Sequence, residues 1–529
     1  MTSEQSSSQS FLERECALLH QRRQTLLDVN RPHATADQHA RANLTARERI
    51  ALLFDEDTFV ELAPLGHHQN GNELLHGLSE EAMAGDGIVV GYGQVRGRIV
   101  CCAAYDFTVL GGSMGTVNDA KMSRVRKMAL EYGYPLVFFL EGGGGRVQER
   151  MGAKAAKGHD RFYDLALMSG WVPIVGAVMG PCFAGHANLA ACSDYVPMRK
   201  GASMGMAGPR LVEAAIGEKT TPEQLGGSTL HTTITGMADE ELESEEAIIT
   251  QIKDFLSFLP SNAQQYPLER SHDQSLAMPD SVLRCIPDSS YQSYDMREVI
   301  NLIVDHDFFF ELKPTFARNI ITAFAYINGY PVGVIASNPA VLAGMLDSNA
   351  SDKIAHFISM CDAFNVPLLF LVDVPGYMVG AKTERSGIVR HAMKPLYELG
   401  QATVPRMTVI IRKAYGLAYH AMGAAEFEPD LIVAWPCAEI SSMGPEGAVN
   451  IIYGKQANDS PDAKAFKQQQ VAHFRELTRP LHAAQEVRID DVIDPRETRS
   501  LLANVLATVW RQPRITRARP PKKHGISPV

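Results

Sequence analysis

Four short loops, rich in glycine and other small residues, are the segments of this sequence best suited to chemistry. Two follow apolar strands, EGGGGR at 141–146 and DVPGYMVG at 373–380, and two open alanine-rich helical segments, GPCFAGHA at 180–187 and RKAYGLAY at 412–419. The first N–H groups of a helix lack partners and carry the positive end of its dipole, and small residues let a ligand oxygen approach. The loops therefore predict backbone oxyanion holes, which stabilise enolates and tetrahedral intermediates.

The spacing of the loops is the same in both halves of the chain. Gly144 and Gly185 are 41 residues apart, and so are Gly376 and Leu417. A single glycine loop is more often a simple tight turn. Four loops in matched register favour a functional role.

An internal repeat supplies the elements that would position these loops. ERIALLFDEDTFVELAP at 48–64 matches EVINLIVDHDFFFELKP at 298–314, at an offset of 250 residues. At the hairpin-like segments VRGRIV and INGYPV the offset is 232, and it is still 232 where YPLVFFLE at 134–141 meets VPLLFLVD at 366–373; it becomes 236 around Gly208 and Gly444. Short apolar strands alternate with helical stretches, which is typical of βα units around a mostly parallel sheet. The sequence thus predicts an α/β protein with two copies of one domain.

The boundary between the two copies is predicted in a polar stretch. Residues 259–290 contain four prolines and no apolar periodicity, as expected of a linker. We therefore assign the N-terminal domain to residues 1–275 and the C-terminal domain to residues 276–529.

The overall composition excludes several classes of protein. A net charge of −10 over 529 residues disfavours a nucleic-acid partner. No apolar run approaches the length of a membrane span, so no membrane association is expected. The eight cysteines form no C-x-x-C pair and predict reduced thiols in a cytoplasmic protein.

Other short motifs give weaker signals. GGSMG at 111–115 satisfies the G-x-S-x-G pattern of serine hydrolases, but no Asp or His stands out as a partner. The chain has no P-loop, and the GYG of 91–93 lacks the third glycine of a dinucleotide fingerprint. Histidines and carboxylates are not clustered at metal-ligand spacing, so no metal is predicted.

Longer motifs point to a family. They are TARERIALL from Thr45, GDGIVVGYGQVRGR from Gly85, YDFTVLGGSMG from Tyr105, GEKTTPEQLGG from Gly217, NPAVLAGMLDSNAS from Asn338, FNVPLLFLVDVPGY from Phe364, GIVRHAMKPLYELGQATVP from Gly387, RKAYG from Arg412 and PPKKHG near the end. With these motifs the chain resembles the carboxyltransferase (β) subunits of biotin-dependent acyl-CoA carboxylases, most closely propionyl-CoA carboxylase β chains. The motifs extend along nearly the whole chain and are together highly specific. In this family the GGSMG serine belongs to the acyl-CoA half and is no hydrolase nucleophile.

The resemblance implies two tandem crotonase-like domains with the ββα-spiral fold of the ClpP/crotonase superfamily. The N-terminal domain would hold the acyl-CoA thioester, and the C-terminal domain would hold carboxybiotin. Such an enzyme transfers the carboxyl group from carboxybiotin to the α-carbon of an acyl-CoA through an enolate. The implied donors for the thioester enolate are Gly144, Gly145, Gly185 and His186. Those for the biotin ureido oxygen are Gly376, Tyr377, Leu417 and Ala418, of which Gly376, Leu417 and Ala418 would bind the cofactor.

The resemblance also implies partners. Biotin would be attached to a separate carrier and carboxylated by a biotin carboxylase subunit, and this chain would form a homo-oligomer, usually a hexamer, with active sites between subunits. AMKP at 392–395 lacks the residue that follows the lysine of a biotinylation site. The basic tail at 511–525 suggests either a solvated surface segment or an anionic partner.

Departures from the family pattern concern the substrate. GGGGR replaces the usual SGGAR, Phe183 and His186 alter the second loop, and His420 stands where propionyl-type members carry an acid that helps to set acyl preference. We expect an acyl group other than acetyl or propionyl, although both histidines could simply fill space. A decarboxylase or transcarboxylase of the same fold, or a non-catalytic scaffold of a carboxylase complex, remains an alternative.

Overall fold

The protein is described by a computed structural model that covers residues 10–67, 81–150, 161–271, 274–306 and 309–512. The chain divides into two compact units, Met1–Leu256 and Ser257–Val529. Within the described residues each unit contains one eight-stranded sheet and a hydrophobic core of its own. No helix in these ranges is long and apolar enough to cross a lipid bilayer.

The sheets of the two units have the same strand order. The first runs β1-β2-β3-β4-β5-β6-β8 with β7 beside β5, and the second runs β9-β10-β11-β12-β13-β14-β16 with β15 beside β13. The strands of the first unit are β1 (Val60–Leu62), β2 (Ile88–Val95), β3 (Arg98–Tyr105), β4 (Leu136–Gly142), β5 (Ile174–Phe183), β6 (Pro197–Arg199), β7 (Ser203–Gly205) and β8 (Glu240–Leu242). Those of the second are β9 (Phe310–Leu312), β10 (Ile320–Ile327), β11 (Tyr330–Ser337), β12 (Leu368–Val374), β13 (Arg406–Tyr415), β14 (Leu431–Ala434), β15 (Glu439–Ser441) and β16 (Asp491–Val492).

Each sheet is antiparallel across its first three strands and parallel beyond them. β4 and β12 are buried along their whole length, which explains why both are continuous apolar runs rather than alternating ones. The prediction of two α/β copies with mostly parallel sheets is confirmed.

Helices cover the sheets in both units. In the first they are α1 (Phe11–Gln24), α2 (Pro32–Ala40), α3 (Ala46–Leu53), α4 (Thr116–Tyr132), α5 (Val147–Arg150), α6 (Arg161–Met168), α7 (Gly185–Ala191), α8 (Pro209–Ile216), α9 (Pro222–Gly226), α10 (Ser228–Leu230) and α11 (Glu245–Phe258). In the second they are α12 (Met296–Ile303), α13 (Ser348–Ala363), α14 (Ala381–Arg385), α15 (Ile388–Gln401), α16 (Gly416–Ala421), α17 (Pro445–Asn458), α18 (Ala463–Leu477), α19 (Pro480–Gln485) and α20 (Thr498–Val509).

A repeated aspartate explains one of the sequence matches. The turn between β2 and β3 is formed by Arg96 and Gly97, both with positive φ. Asp55 accepts hydrogen bonds from their two N–H groups at 3.1 and 2.8 Å, and Asp305 does the same at the β10–β11 turn at 2.9 and 2.8 Å. The repeat therefore preserves a turn cap. A second matched position, Asp307, lies outside the described residues, as does the basic tail from residue 513 onwards.

The proline-rich stretch 259–290 packs on the second unit rather than standing free. Asn365 donates through Nδ2 to the carbonyls of Ala263 (2.9 Å) and Gln265 (2.7 Å), and Arg270 N donates to Gly329 O (2.9 Å). The compact units therefore divide between Leu256 and Ser257, earlier than the boundary of 275/276 placed from sequence, because the polar linker satisfies its backbone groups on the second sheet.

Candidate functional site

In the first unit the two predicted loops lie at the carboxyl ends of neighbouring parallel strands. β4 and β5 are paired as far as Gly142 and Cys182, so both loops start at the same edge of the sheet. Met114 holds the first loop through two backbone hydrogen bonds. Its N–H donates to Gly144 O (2.9 Å) and its carbonyl accepts from Arg146 N (2.8 Å). Open α/β sheets bind their ligands at this edge.

The loops touch through residues with unusual backbone angles. Gly144 has a φ of +92°, and a Cβ on it would lie 3.0 Å from Ala184 Cβ and 3.3 Å from Phe183 O. Only glycine fits this position without strain. Ala184, the residue before α7, has a φ of +53° and a ψ of −116° although it carries a Cβ, so the second loop is held in a conformation that alanine disfavours.

His186 fastens the first loop to the second. Its side chain is fully buried, Nδ1 accepts from Gly144 N–H at 3.2 Å, and Nε2 lies 3.1 Å from Gly112 O. Nε2 must therefore carry the proton. Burial, with the nearby charge of Arg161, lowers the pKa of His186 to about 3, so the imidazole is neutral and both of its nitrogens are engaged.

This geometry alters one sequence-based expectation. The N–H of Gly144 was predicted to face the thioester, but it already donates to the imidazole of His186. The N–H groups of Gly145, Gly185 and His186 donate to no acceptor among the described residues. A Cβ on Gly185 would lie 2.6 Å from Met114 Sδ, so a larger residue here would displace the Met114 side chain.

The second unit repeats the arrangement. β12 and β13 are paired up to Val374 and Ala414, and Leu346 takes the place of Met114: its N–H donates to Gly376 O (3.1 Å) and its carbonyl accepts from Met378 N (2.8 Å). Gly416, with a φ of +57°, stands where Ala184 stands in the first unit.

The second unit has one more open donor than the first. Ala418 occupies the position of His186, so no imidazole meets the loop, and the N–H of Gly376 is open along with those of Tyr377, Leu417 and Ala418 in the part of the chain that is described. Gly376 has a φ of +140°, and a Cβ built on it would meet no atom of the described residues within 4 Å. The loop therefore faces open space.

Buried carboxylates anchor both loops, and sequence reasoning did not assign them a role. Glu141, the penultimate residue of β4, accepts from Arg49 Nη2 (2.6 Å), Gln38 Nε2 (2.8 Å) and Asn43 Nδ2 (2.9 Å). Asp373 is likewise the penultimate residue of β12, and it accepts a hydrogen bond from Arg412 Nε at 2.9 Å. The available signal was an acid at the end of an apolar strand in both halves. Paired in this way, each charge is stabilised and holds its loop in place.

The two residues predicted to set specificity have different surroundings. Phe183 is buried, and Cβ atoms built on Gly205 and Gly208 would lie 3.4 and 3.7 Å from its ring. His420 lies on α16, partly exposed, with Nδ1 2.7 Å from Glu426 Oε1. Phe183 therefore supports the turn after β7, whereas His420 forms an ion pair when protonated.

Two alternatives from the sequence find no support in the geometry. The Ser113 hydroxyl donates to Leu110 O (2.8 Å) and accepts from Arg146 Nε (3.2 Å), so it is not paired with a base. Lys394 of the AMKP segment lies within α15, with Nζ 3.1 Å from Asp352 Oδ1.

A cleft of about 300 Å³ adjoins the loop of the second unit. Pro375, directly before Gly376, lines it together with Lys413. Part of its lining is polar, since Glu446 accepts from Tyr291 OH and from Arg475 Nη2, both at 2.7 Å. The cleft can therefore take a ligand with both apolar and hydrogen-bonding parts.

Comparisons with known proteins agree with this arrangement. Residues 37–526 match the family model described as the carboxyl transferase domain. The chain is 42% identical over 93% of its length to the methylmalonyl-CoA decarboxylase subunit alpha of Veillonella parvula, covering 94% of that protein. It is 38% identical over 97% of its length to the propionyl-CoA carboxylase carboxyltransferase subunit of Haloferax mediterranei, covering 98% of that protein.

A solved structure is similar over the whole chain. The transcarboxylase 12S hexamer subunit, determined with methylmalonyl-CoA and methylmalonic acid bound, superposes with a TM-score of 0.91 at 35% identity and full coverage of both chains. With a family model that spans most of its length and relatives this similar, the chain belongs to the carboxyl transferase domain family.

Proposed function

We propose that this chain transfers a carboxyl group between biotin on a separate carrier protein and the α-carbon of an acyl-CoA. The observation that carries the proposal is the matched pair of loops, each with N–H groups that lack acceptors among the described residues. The relatives named as carboxyltransferase subunits of biotin-dependent carboxylases support it.

The first unit is proposed to hold the acyl-CoA. The N–H groups of Gly145, Gly185 and His186 would bind the thioester oxygen as it gains negative charge during enolate formation. Removing one such donor typically costs about 2.7–4 kcal/mol of transition-state stabilisation. The imidazole of His186 takes no proton in this scheme; it fixes the loop through Gly144. The acyl-CoA domain of the sequence analysis, 1–275, corresponds to this unit.

The second unit is proposed to hold carboxybiotin. When bound, this group supplies CO2 and a ureido nitrogen that takes the α proton. The N–H groups of Gly376, Tyr377, Leu417 and Ala418 would bind the ureido oxygen. A Cβ on Gly376 would meet no described atom within 4 Å, which supports space for the ring. Backbone donors that follow Pro375, a residue of the cleft lining, thus fit the group. Domain 276–529 corresponds to this unit, and both units are proposed to have the crotonase-like fold.

Propionyl-CoA and methylmalonyl-CoA are the first substrates to test, since several relatives are named for reactions of one or the other. The sequence departures at Phe183 and His420 leave a different acyl group as the competing expectation. Decarboxylation and transcarboxylation use the same loops, so the direction of the reaction depends on the partner subunits.

A homo-oligomer, with a hexamer as the expected form, is proposed from exposed apolar helices. α8 has no buried residue and exposes Leu211 and Ile216 to solvent, and α17 exposes Ile451 and Ile452. Apolar surfaces of this kind mark protein interfaces. The transcarboxylase 12S subunit forms a hexamer, and active sites between subunits would bury such faces.

The function is tested by purifying the native complex from its source. We expect biotin on a co-purifying chain and fixation of labelled bicarbonate onto one ester of an acyl-CoA panel. Biotin on this chain itself would contradict the proposal. CoA-ester binding without any biotin-dependent exchange would favour a scaffold, and release of CO2 from a carboxylated ester would favour a decarboxylase.

A further inference from the structure

A guanidinium group lies beside the acyl-side loop of the first unit. Arg161, the first residue of α6, places Nη1 3.2 Å from Met114 Sδ and Nη2 2.5 Å from Asp119 Oδ1. Met114 is the residue that hydrogen-bonds the loop at Gly144 and Arg146. The charge therefore lies against the part of the chain that shapes the loop.

The guanidinium also borders the second loop. A Cβ on Gly185 would lie 3.0 Å from Arg161 Nη1, so Nη1 is next to the peptide group proposed to bind the thioester oxygen. The Arg161 side chain is 13% exposed. It is thus largely desolvated, and an anion that reached it would be bound more strongly than at an open surface.

The second unit lacks this feature. At the offset of 232 residues that relates the two units, Met393 stands in place of Arg161, Ser351 in place of Asp119 and Leu346 in place of Met114. The two loops have similar backbones, and the arginine–aspartate pair is a charged difference between their walls. A role common to both loops, such as forming the turn, does not explain why the first unit has this pair.

Pairing with Asp119 satisfies only part of the guanidinium. Arginine carries five N–H donors arranged to grip a carboxylate with two of them, and the thioether of Met114 is a weak acceptor. Among the described residues, Met114 Sδ is the acceptor that faces Nη1. That edge of the guanidinium is therefore suited to a stronger acceptor from a ligand.

We propose that Arg161 binds the carboxylate that the acyl group gains or loses at its α-carbon. The residue would distinguish a carboxylated CoA ester from its uncarboxylated counterpart, and so determine specificity rather than take part in proton transfer. This inference rests on the proposed function, because it requires the acyl group to lie at the loop of the first unit.

The test compares two CoA esters that differ by this carboxylate. Binding of methylmalonyl-CoA and propionyl-CoA to the full-length oligomer is measured, together with carboxyl transfer from methylmalonyl-CoA to biocytin. In that reaction the bond from the α-carbon to the carboxylate breaks, the carboxyl carbon bonds to the ureido nitrogen, and the nitrogen's proton goes to the α-carbon. Arg161→Met, Arg161→Lys and Asp119→Asn are each compared with the wild type, after their oligomer sizes are matched.

We expect Arg161→Met to weaken methylmalonyl-CoA binding by about 10- to 100-fold, as for loss of a charge-assisted pair, and propionyl-CoA binding by less than about threefold. Arg161→Lys should recover part of the loss. Asp119→Asn should bind methylmalonyl-CoA at least as well as the wild type, because it frees the guanidinium.

Equal weakening of both esters by Arg161→Met, or damage by Asp119→Asn as large as that by Arg161→Met, would overturn the inference and make the pair a structural link between α4 and α6. A wild type that binds no ester of the wider acyl-CoA panel, carboxylated or not, would overturn the proposed function itself. The two failures are therefore distinguishable.

Discussion

The imidazole of His186 lies between two peptide groups, Gly144 N–H and Gly112 C=O, and is fully buried. Because its pKa is lowered from 6.5 to about 3, chiefly by burial, it is uncharged at neutral pH. A histidine at a catalytic loop commonly acts as an acid or base. Here the residue acts on the backbone instead, and its substitution should affect stability and loop geometry together.

His186→Phe should lower the free energy of unfolding by about 1–3 kcal/mol at neutral pH, because two buried backbone groups lose their partner. The penalty should shrink with acidification. Below its ordinary value of 6.5 the unfolded histidine takes up a proton that the folded one, with a pKa of about 3, does not. The wild type therefore loses up to about 1.4 kcal/mol per pH unit from this residue as pH falls through that range, whereas the phenylalanine variant does not.

Denaturant unfolding of both proteins at several pH values between about 7 and 5 measures this difference. His391→Phe is a control in the other unit. It removes a partly exposed histidine of α15 that is paired with Asp352 of α13. A gap between wild type and His186→Phe that stays constant with pH would mean that the buried imidazole is not the source of the effect.

His420 gives a prediction about substrate. Aspartate at this position shortens the side chain and places a negative charge beside Glu426, whose Oε1 is now 2.7 Å from His420 Nδ1. We expect His420→Asp to raise kcat/KM for propionyl-CoA relative to other acyl-CoAs by about tenfold or more, toward the pattern of family members with an acid there. His420→Asn separates size from charge. An unchanged substrate profile would remove His420 from the specificity determinants.

The turn from strand to helix gives a matched pair of predictions. Ala184 and Gly416 stand at equivalent positions with φ values of +53° and +57°. Ala184→Gly should stabilise the protein by about 1 kcal/mol, since a φ of +53° with a ψ of −116° is a sparsely populated conformation that costs a residue with a Cβ about 1–3 kcal/mol, part of which the greater unfolded-state entropy of glycine offsets. Gly416→Ala should destabilise it, because the new Cβ would lie 2.8 Å from Ser442 O.

The free energy of unfolding and the carboxyl-transfer rate are measured for both variants. Together they separate an effect on backbone strain from an effect on the catalytic loop. Ala184→Gly should leave the rate within about threefold of the wild type, since the N–H groups of α7 keep their direction, while Gly416→Ala should lower the rate as Leu417 and Ala418 are displaced. A destabilised Ala184→Gly variant would show that the flexibility of glycine outweighs the relief of strain at this turn.

At the level of elements, the sequence register predicted the two mostly parallel sheets and the paired loops, because a duplicated strand–loop–helix pattern repeats the same hydrophobic periodicity. The capping box at the start of α9, where Thr221 Oγ1 accepts from Gln224 N at 3.2 Å, is a local pattern of the same kind. Such local signals depend on residues a few positions apart.

Long-range contacts were beyond the sequence. Arg161 meets Asp119 and His186 meets Gly144 across 42 residues each, and no periodicity encodes these pairings. The stretch 259–290 is a similar case, since its composition is that of a linker and only its contacts assign it to the second unit. The sequence located the backbone N–H donors. It did not show which of them already donate to another group of the protein.

At the scale of the whole molecule, the exposed faces of α8 and α17 predict dependence of activity on assembly. The double variant Leu211→Glu, Ile216→Glu places two charges on a face that would be buried between subunits. We expect smaller particles in light scattering and loss of carboxyl transfer of at least about tenfold.

The exposed residue Ile234 provides a control, since it lies on neither helix. Ile234→Glu should leave both particle size and rate unchanged. An intact oligomer formed by the double variant would show that α8 is not part of the interface.

The open N–H groups at Gly145 and Tyr377 belong to the main chain, and every residue except proline has one. Point mutation can change side chains near the loops, such as Phe183, Arg161 or His420, and leave these donors in place. A protein family with such a site can change the acyl group that it accepts during evolution while it keeps the same carboxyl-transfer step. Its members are expected to differ in substrate preference long before they differ in the reaction that they catalyse.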